Sequence, residues 1–227
     1  MCRMTESTVV WTVRDLRRRW KPFKEELQAA RRDHPTAIRI HRCCSWMQRV
    51  EISESMHDDD ALIYRWIALN SLYGRWNDER REPAPNRQTL SDFADRLLEL
   101  DSDGRIVTVL HDHKRLVMSI MDDEFLAKHY WEEPGDARAR RSKKAVFDVR
   151  QCYLDQRFAP VLWRLLNRIY LMRCQIMHGA ATAGGALNRS SLRRCNVMLG
   201  HLLPAILLII IDHGKDEDWG TLCYPPH

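Results

Sequence analysis

Arg173 and His178 are the two residues of this chain best suited by type and spacing to do chemistry. They are the first and last residues of the sequence Arg-Cys-Gln-Ile-Met-His, which lies in an otherwise apolar stretch. Arginine is permanently charged and binds phosphate through a planar fork, whereas histidine titrates near neutral pH. His178 could exchange a proton with a 2′-hydroxyl or a leaving-group oxygen, while Arg173 stabilises charge on the phosphoryl oxygens. The pair therefore predicts acid–base chemistry at a phosphodiester.

Helical geometry opposes direct cooperation between these two side chains. Five residues turn an ideal α-helix by about 500°, which leaves roughly 140° between the side chains of Arg173 and His178. Convergence requires either local unwinding at Gly179, which follows His178, or a second copy of the chain. In the alternative interpretation, Arg173 pairs with a carboxylate at the edge of a bundle and His178 is an ordinary helix end.

The composition favours one large domain, or a domain with an appended arm. Of the 227 residues, 44% are hydrophobic and 30% are charged, which suits a packed core and excludes a disordered or membrane composition. The net charge of +5 permits an anionic partner such as RNA without requiring one.

The cysteines, the N-terminus and the apolar runs indicate the cellular compartment of the protein. The seven cysteines form no Cys-x-x-Cys pair, and the N-terminus has no signal-peptide pattern. The longest apolar stretch, residues 202–211, is short against the roughly 20 residues that a membrane helix needs. We therefore expect a reduced, cytoplasmic protein without a membrane segment.

The hydrophobic periodicity predicts an all-α fold, with four longer helices in an antiparallel four-helix-type bundle and further short helices at the N-terminus and periphery. We expect residues 1–57 to form a helical arm packed on the bundle, and residues 58–213 to form the bundle itself. Residues 214–227 read as an irregular tail that packs through Trp219 and Tyr224. No segment reads convincingly as a strand.

Capping residues and helix breakers predict several element boundaries. Pro160 suits the first turn of a long helix that Gly179 ends, and Asp122 is expected to cap a short helix. Asn188, Ser190 or Ser191 is expected to cap the last long helix. A basic run is expected to form a loop or a frayed helix start; it contains Arg138, Arg140, Arg141, Lys143 and Lys144.

Several motifs together resemble the HEPN domain family. Arg-x4-His followed by glycine, near the end of an apolar helix, is similar to the HEPN signature. The sequence Trp-Ile-Ala-Leu-Asn-Ser-Leu-Tyr at residues 66–73 resembles the Apea-like branch of that family. So do His178-Gly-Ala-Ala, Leu187-Asn-Arg and the Leu-Leu-Pro at residues 202–204. The resemblance covers roughly residues 58–212.

The resemblance implies a helical bundle that forms a homodimer. In active members of the family, the paired motifs form a composite, metal-independent ribonuclease site, which maps here onto Arg173 and His178. Such enzymes leave 2′,3′-cyclic phosphate ends. Active members commonly carry Asn, Asp or His directly after the arginine, where this chain has Cys174.

Other relatives are non-catalytic modules that bind or assemble with partners. The alternative to RNA binding or cleavage is therefore an interaction or dimerisation module with a protein partner, or a nucleotide-binding bundle. Defence or toxin–antitoxin biology fits the family in either case.

Further residues are candidates for supporting roles. Asn70 lies on a buried stripe and either ties helices together or orients Arg173; Tyr73 and Cys174 are its candidate companions. The basic run named above could hold an RNA backbone or could be a solvated segment. His111, His113 and the His41-x-Cys43-Cys44 sequence lack a complete tetrahedral ligand set, so we expect no metal and no cofactor.

Overall fold

The computed structural model describes residues 11–29, 34–53, 55–132, 136–180 and 182–224, and the side chains of residues 136–142 lie outside this description. Within these ranges the protein is an all-α bundle, which confirms the predicted fold class. The helices are α1 Val13–Ala29, α2 Pro35–Glu51, α3 Asp58–Tyr73, α4 Asn86–Leu100, α5 Arg105–Asp112, α6 Lys114–Asp122, α7 Lys128–Glu132, α8 Asp136–Leu154, α9 Phe158–Met177 and α10 Arg189–His213.

Helix α10 is the centre of the bundle. It packs against α1, α3, α4, α5, α6 and α9, and its apolar residues from Leu202 to Ile211 are almost all buried. By length and composition alone, α10 could cross a membrane, with a mean hydropathy of 2.0 over its most apolar window. However, 72% of that window is buried inside the protein. It therefore serves here as the core helix that the sequence predicted.

A buried arginine joins α2 to α3 and to the C-terminal tail. Arg39 is 2% exposed, and its guanidinium donates only to backbone carbonyls among the described residues. The acceptors on the α3 side are Leu72 (3.1 Å) and Gly74 (2.7 Å). The acceptors in the tail are Trp219 (3.1 Å), Gly220 (2.9 Å) and Thr221 (3.5 Å). A side chain on α2 thus fixes both the end of α3 and the course of the tail.

Both aromatic residues of the tail make packing contacts, to different extents. Trp219 is buried, and its indole N–H donates to the Gly214 carbonyl (2.9 Å). Tyr224 is 67% exposed, but its ring lies 5.4 Å from that of Trp76 and its carbonyl accepts from Arg42 (2.8 Å). Trp219 and the bonds from Arg39 therefore hold the tail more firmly than Tyr224 does.

The basic run on α8 was predicted wrongly as a loop or a frayed helix start. It lies inside α8, which begins at Asp136. Ala, Arg and Lys are good helix formers, and no Gly or Pro interrupts them. The charge density of the run suggested solvation, but solvation of the side chains is compatible with a helical backbone.

The segment after α6 also departs from expectation. Asp122 is the last residue of α6 and does not cap it; Asp123 caps a 3₁₀ helix, Glu124–Leu126, by accepting from the Phe125 N–H (3.1 Å). Residues 76–77 and 82–83 pair as a two-stranded antiparallel ribbon. Strands of two residues are too short to show a periodicity of two in the sequence.

Two histidine rings stack where α5 meets α6. The ring of His113 lies 3.7 Å from that of His201 on α10, centroid to centroid, and the planes are 15° apart. Burial lowers the pKa of His201, and the neighbouring His113 and Arg65 lower it further. This helix junction is therefore favoured when the His201 ring is neutral.

Replacement of Arg39 by Met is expected to lower the free energy of unfolding by about 3 kcal/mol or more, because it leaves several buried carbonyls without donors. Urea denaturation measures the change. Arg49→Met, at an exposed position of α2, is the matched control and should change stability by less than about 0.5 kcal/mol. Equal effects of the two variants would show that the buried carbonyls do not depend on Arg39.

The stability of the protein is expected to fall from pH 7 to pH 5, in part through His201. Its folded-state pKa is lowered, so the unfolded chain binds more protons in this range and acid favours unfolding. His201→Gln should reduce that fall by roughly 0.5 kcal/mol after allowance for solvent screening. Urea denaturation at both pH values tests this, with His41→Gln at an exposed position as control. A pH dependence that is identical in His201→Gln and wild type would contradict it.

Candidate functional site

Helix α9 carries both predicted catalytic residues and ends at the predicted glycine. The helix runs to Met177, and Gly179 has φ of +69°. The N–H of Gly179 donates to the Ile176 carbonyl (3.0 Å), and that of Ala180 donates to the Gln175 carbonyl (2.9 Å). This is the Schellman arrangement, in which a left-handed residue closes the last turn.

The helix end does not bring Arg173 and His178 together. Because α9 stays regular to Met177, the unwinding at Gly179 begins after His178, and the helical offset between the two residues is retained. Arg173 is half-buried, whereas His178 is exposed. The expectation that unwinding at Gly179 lets the two side chains converge is therefore wrong. A shared site would need a second chain.

Arg173 faces a seam between α3 and α9, which we call the α3–α9 seam. It comprises six residues: Trp66, Asn70 and Tyr73 on α3, and Tyr170, Arg173 and Cys174 on α9. The rings of Trp66 and Tyr170 lie 5.7 Å apart, and those of Trp66 and Tyr73 lie 6.3 Å apart. Burial raises the pKa of Tyr73, and the nearby charge of Arg173 partly opposes that shift. The structure thus brings Arg173, Cys174 and Tyr73 together, as the sequence predicted.

The seam contains polar groups without partners. The Tyr73 hydroxyl and the Asn70 carboxamide oxygen are buried, and neither has a hydrogen-bond partner in the described part of the chain. Buried polar atoms are normally paired, so two such atoms three residues apart on one helix are unusual. Asn70 makes neither of the hydrogen bonds considered for it, to a neighbouring helix or to Arg173.

Arg173 itself has no ion pair or side-chain hydrogen bond among the described residues. Other arginines of this chain are paired, as Arg189 is with Asp59 (2.6 Å) and Arg194 with Asp123 (2.7 Å). The alternative in which Arg173 pairs with a carboxylate at the bundle edge is therefore wrong for the described residues. The seam instead presents a half-buried cation beside a tyrosine hydroxyl.

Cys174 lies next to Tyr170 in the seam. Burial raises the pKa of Tyr170, and hydrogen bonding with Cys174 adds to the shift. Cys174 is half-buried, in contrast to the fully buried Cys43, whose pKa is raised by burial. The residue after the motif arginine therefore belongs to the seam.

The basic run on α8 is placed only in part. Lys143 and Lys144 are exposed. The side chains of Arg138, Arg140 and Arg141 lie outside the described residues. The proposed RNA contact of this run stays a prediction.

One group of potential metal ligands occurs at the end of α10. Ligand atoms of Asp103, Asp212 and His213 lie within 4.8 Å of one another. Asp212 already pairs with Arg19 (2.7 Å) and Arg105 (2.5 Å). Two guanidinium groups balance the negative charge that would attract a cation, so the group is better described as an ion-pair network.

Sequence reasoning missed a cleft beside the seam. It has a volume of about 470 Å³ and lies on the face of α9 that carries Trp163, Asn167 and Tyr170. Its walls come from α4, α6, α7 and α8 as well as α9. The only sequence signal was an exposed tryptophan on an otherwise apolar helix, because the other walls come from distant segments.

No protein-family model, curated protein or solved structure matches this chain. The HEPN resemblance therefore depends on the motifs quoted from the sequence and stays a prediction. The all-α fold and the α3–α9 seam are independent of it.

Removal of the Tyr73 hydroxyl is expected to leave stability unchanged or to raise it by about 1 kcal/mol, because Tyr73→Phe removes a buried group that has no partner. The matched control is Tyr153→Phe, since the Tyr153 hydroxyl donates to the Leu110 carbonyl (2.8 Å). That control should lose about 1 kcal/mol. Urea denaturation compares the two, and an equal loss in both would mean that the Tyr73 hydroxyl is hydrogen-bonded.

Proposed function

We propose that this chain is a HEPN-like protein that binds RNA at the α3–α9 seam and, as a homodimer, cleaves it without a metal. One observation carries the proposal: among the described residues, Arg173 is a half-buried cation without a carboxylate partner, beside the unpartnered hydroxyl of Tyr73. A guanidinium and a hydroxyl are both donors to phosphate oxygens, and such charge-assisted hydrogen bonds are stronger than neutral ones.

The acceptor in the seam suits a ribose. Once the side chains that cover it and the Tyr73 hydroxyl move aside, the unpartnered Asn70 carboxamide oxygen can accept from a 2′-hydroxyl, the group that distinguishes RNA from DNA. Donors for a phosphate and an acceptor for a sugar hydroxyl then lie on the same stripe of α3, next to Arg173. This combination favours RNA over an isolated inorganic anion.

In the proposed reaction, the 2′-hydroxyl oxygen attacks the adjacent phosphorus. The bond from phosphorus to the 5′-oxygen of the next nucleotide breaks, which leaves a 2′,3′-cyclic phosphate and a 5′-hydroxyl. His178 acts as the general base or the general acid in the two proton transfers. Arg173 stabilises the charge on the phosphoryl oxygens as the new bond forms.

A second copy of the chain would supply the histidine. His178 is exposed at the end of α9 while Arg173 lies in the seam, so each copy offers one reactive group to its partner. Met177 and Leu187, close to His178 in the sequence, are exposed apolar residues. Exposed apolar groups favour an interface at this end of the helix, and a two-fold axis would form two equivalent sites.

The second candidate is a non-catalytic module that dimerises or docks on a protein partner. It is favoured by the separation of Arg173 and His178 within one chain and by Cys174, which departs from the residues common in active members. A nucleotide-binding bundle with Arg173 as its phosphate ligand belongs to the same alternative. Either would fit a defence or toxin–antitoxin type system.

Cleavage of an unstructured RNA in EDTA tests the proposal. Arg173→Ala and His178→Ala should each reduce the rate by about 100-fold or more, given the usual contributions of charge stabilisation and acid–base catalysis. Arg49→Ala and His41→Ala, at exposed positions of α2, are the controls. Activity that survives both substitutions would contradict the composite site, and no cleavage by a folded wild type would favour the non-catalytic module.

Mixing the two inactive variants tests the contribution of a second copy. In a mixed dimer, one site combines the intact Arg173 of one copy with the intact His178 of the other. After random exchange of subunits, about a quarter of the wild-type activity should return. Continued inactivity of a mixture shown to form mixed dimers would mean that each site uses residues from one chain only.

A further inference from the structure

The cleft beside the seam has the size of a small-ligand site and a mostly apolar interior. Its volume of about 470 Å³ falls within the roughly 300–1,000 Å³ usual for ligand pockets. Its apolar lining comes from α6, the 3₁₀ helix that follows it, α8 and α9. These residues are Met121, Leu126, Ala127, Ala145, Trp163 and Leu171.

One face of α9 provides an aromatic surface in the cleft. Trp163, Asn167 and Tyr170 are spaced by four and three residues, so they lie along one side of the helix. Trp163 is 38% exposed although it is among the largest apolar side chains. Exposed tryptophan of this kind offers a flat surface on which any nucleobase can stack.

Asn167 leaves an acceptor free in the same place. Its amide nitrogen donates to the Trp163 carbonyl (2.8 Å), which fixes the orientation of the side chain. The carboxamide oxygen makes no hydrogen bond among the described residues. It is therefore an acceptor for the amino or imino groups at the edge of a base.

The described lining of the cleft carries positive charge. It includes no carboxylate among the described residues, and its cations are Arg87, Lys128, Arg164 and Arg168. Lys128 pairs with Glu132 (3.1 Å). The guanidinium of Arg87 lies 5.8 Å from the Trp163 ring centroid and has no carboxylate partner in the described part of the chain. Arg164, in contrast, pairs with Asp148 (3.3 Å). Arg87 is thus a cation at an aromatic surface, available to an anionic ligand.

The cleft and the seam share one residue. Tyr170 lines the cleft and also packs on Trp66 in the seam at 5.7 Å. The charges of Arg173 and Arg87 both act on the Tyr170 hydroxyl. A chain of nucleotides with a phosphate at Arg173 can therefore continue past Tyr170 towards Trp163 and Arg87.

We infer that this cleft holds an unpaired nucleobase of single-stranded RNA, which stacks on Trp163 while Arg87 binds a phosphate of the same strand. The inference depends on the RNA binding proposed above and adds a base-binding subsite to it. Because stacking tolerates any base, the subsite selects unpaired RNA over duplex without reading a sequence.

Fluorescence anisotropy tests the subsite with a fluorescein-labelled RNA of about eight nucleotides. Every protein in this assay carries His178→Ala, which prevents cleavage and leaves the RNA its 2′-hydroxyls, and the chain with that change alone serves as wild type. Trp163→Ala should raise Kd by about tenfold at every salt concentration, because it removes stacking. Arg87→Ala should reduce the slope of log Kd against log salt by about 0.7, since one phosphate contact is lost.

Two further variants make the comparison specific. Phe147→Ala removes a 66% exposed aromatic side chain from α8 that is not part of the cleft, and it should bind RNA as the wild type does. Trp163→Leu keeps an apolar side chain without the aromatic face and should show the same loss as Trp163→Ala. It also tests the inference if Trp163→Ala does not fold, as judged by circular dichroism.

RNA binding at the seam and the base-binding subsite are contradicted by different results. If the wild type binds this RNA and the Trp163 and Arg87 variants bind it equally well, the base-binding subsite is wrong while RNA binding at the seam stands. If the folded wild type does not bind the RNA at all, the proposed function and the subsite are both wrong.

Discussion

A buried guanidinium that donates to backbone carbonyls joins α2, the end of α3 and the C-terminal tail. Arg39 sits on α2, and its partners are carbonyls at the end of α3 and in the tail. A buried cation is costly unless it is fully hydrogen-bonded. Burial lowers the pKa of Arg39 to about 10, so the group still carries its charge at neutral pH. The end of α3, where Tyr73 stands, cannot move without breaking these bonds.

A second buried network of hydrogen bonds joins α9 to α10. Asp123 accepts hydrogen bonds from Ser191 and Arg194 on α10, and its backbone carbonyl accepts from Arg168 on α9. Asn188 is the N-cap residue of α10, as predicted, but its side chain donates to Gln175 on α9 (3.0 Å) and makes no capping hydrogen bond. These bonds fix α9 between its two neighbours. Arg173 is therefore presented by a helix that is held on both sides.

Features of the fold that lie within a single helix were predictable from the sequence. The stripe on α3, the end of α9 at Gly179 and the buried course of α10 each follow from helical periodicity or from a single capping residue. The seam was predictable in part, because Asn70, Tyr73 and Cys174 were predicted as supporting residues of the site. That choice came from the family resemblance and from buried positions on α3.

The features that were not predictable from the sequence depend on contacts between segments that are distant along the chain. Arg39 is one of three arginines in α2, and its residue type gave no reason to single it out as the buried one. The cleft unites Arg87 with Trp163, which are 76 positions apart in the chain. The angle between Arg173 and His178 on an ideal helix could be calculated from the sequence. Whether the two side chains converge could not, because that depends on the residue at which the helix ends. Short-range patterns carry no information on such pairings.

The unpartnered oxygens of Tyr73 and Asn70 make the α3–α9 seam a place where the folded protein loses stability. Each buried polar atom without a hydrogen bond costs folding about 1–3 kcal/mol. The free protein therefore holds these two oxygens already desolvated. A ligand that completes their hydrogen bonds would recover that cost, and part of its binding energy would go into moving the side chains that cover them. In this sense the chain gives up part of its own stability to keep the seam ready for a partner.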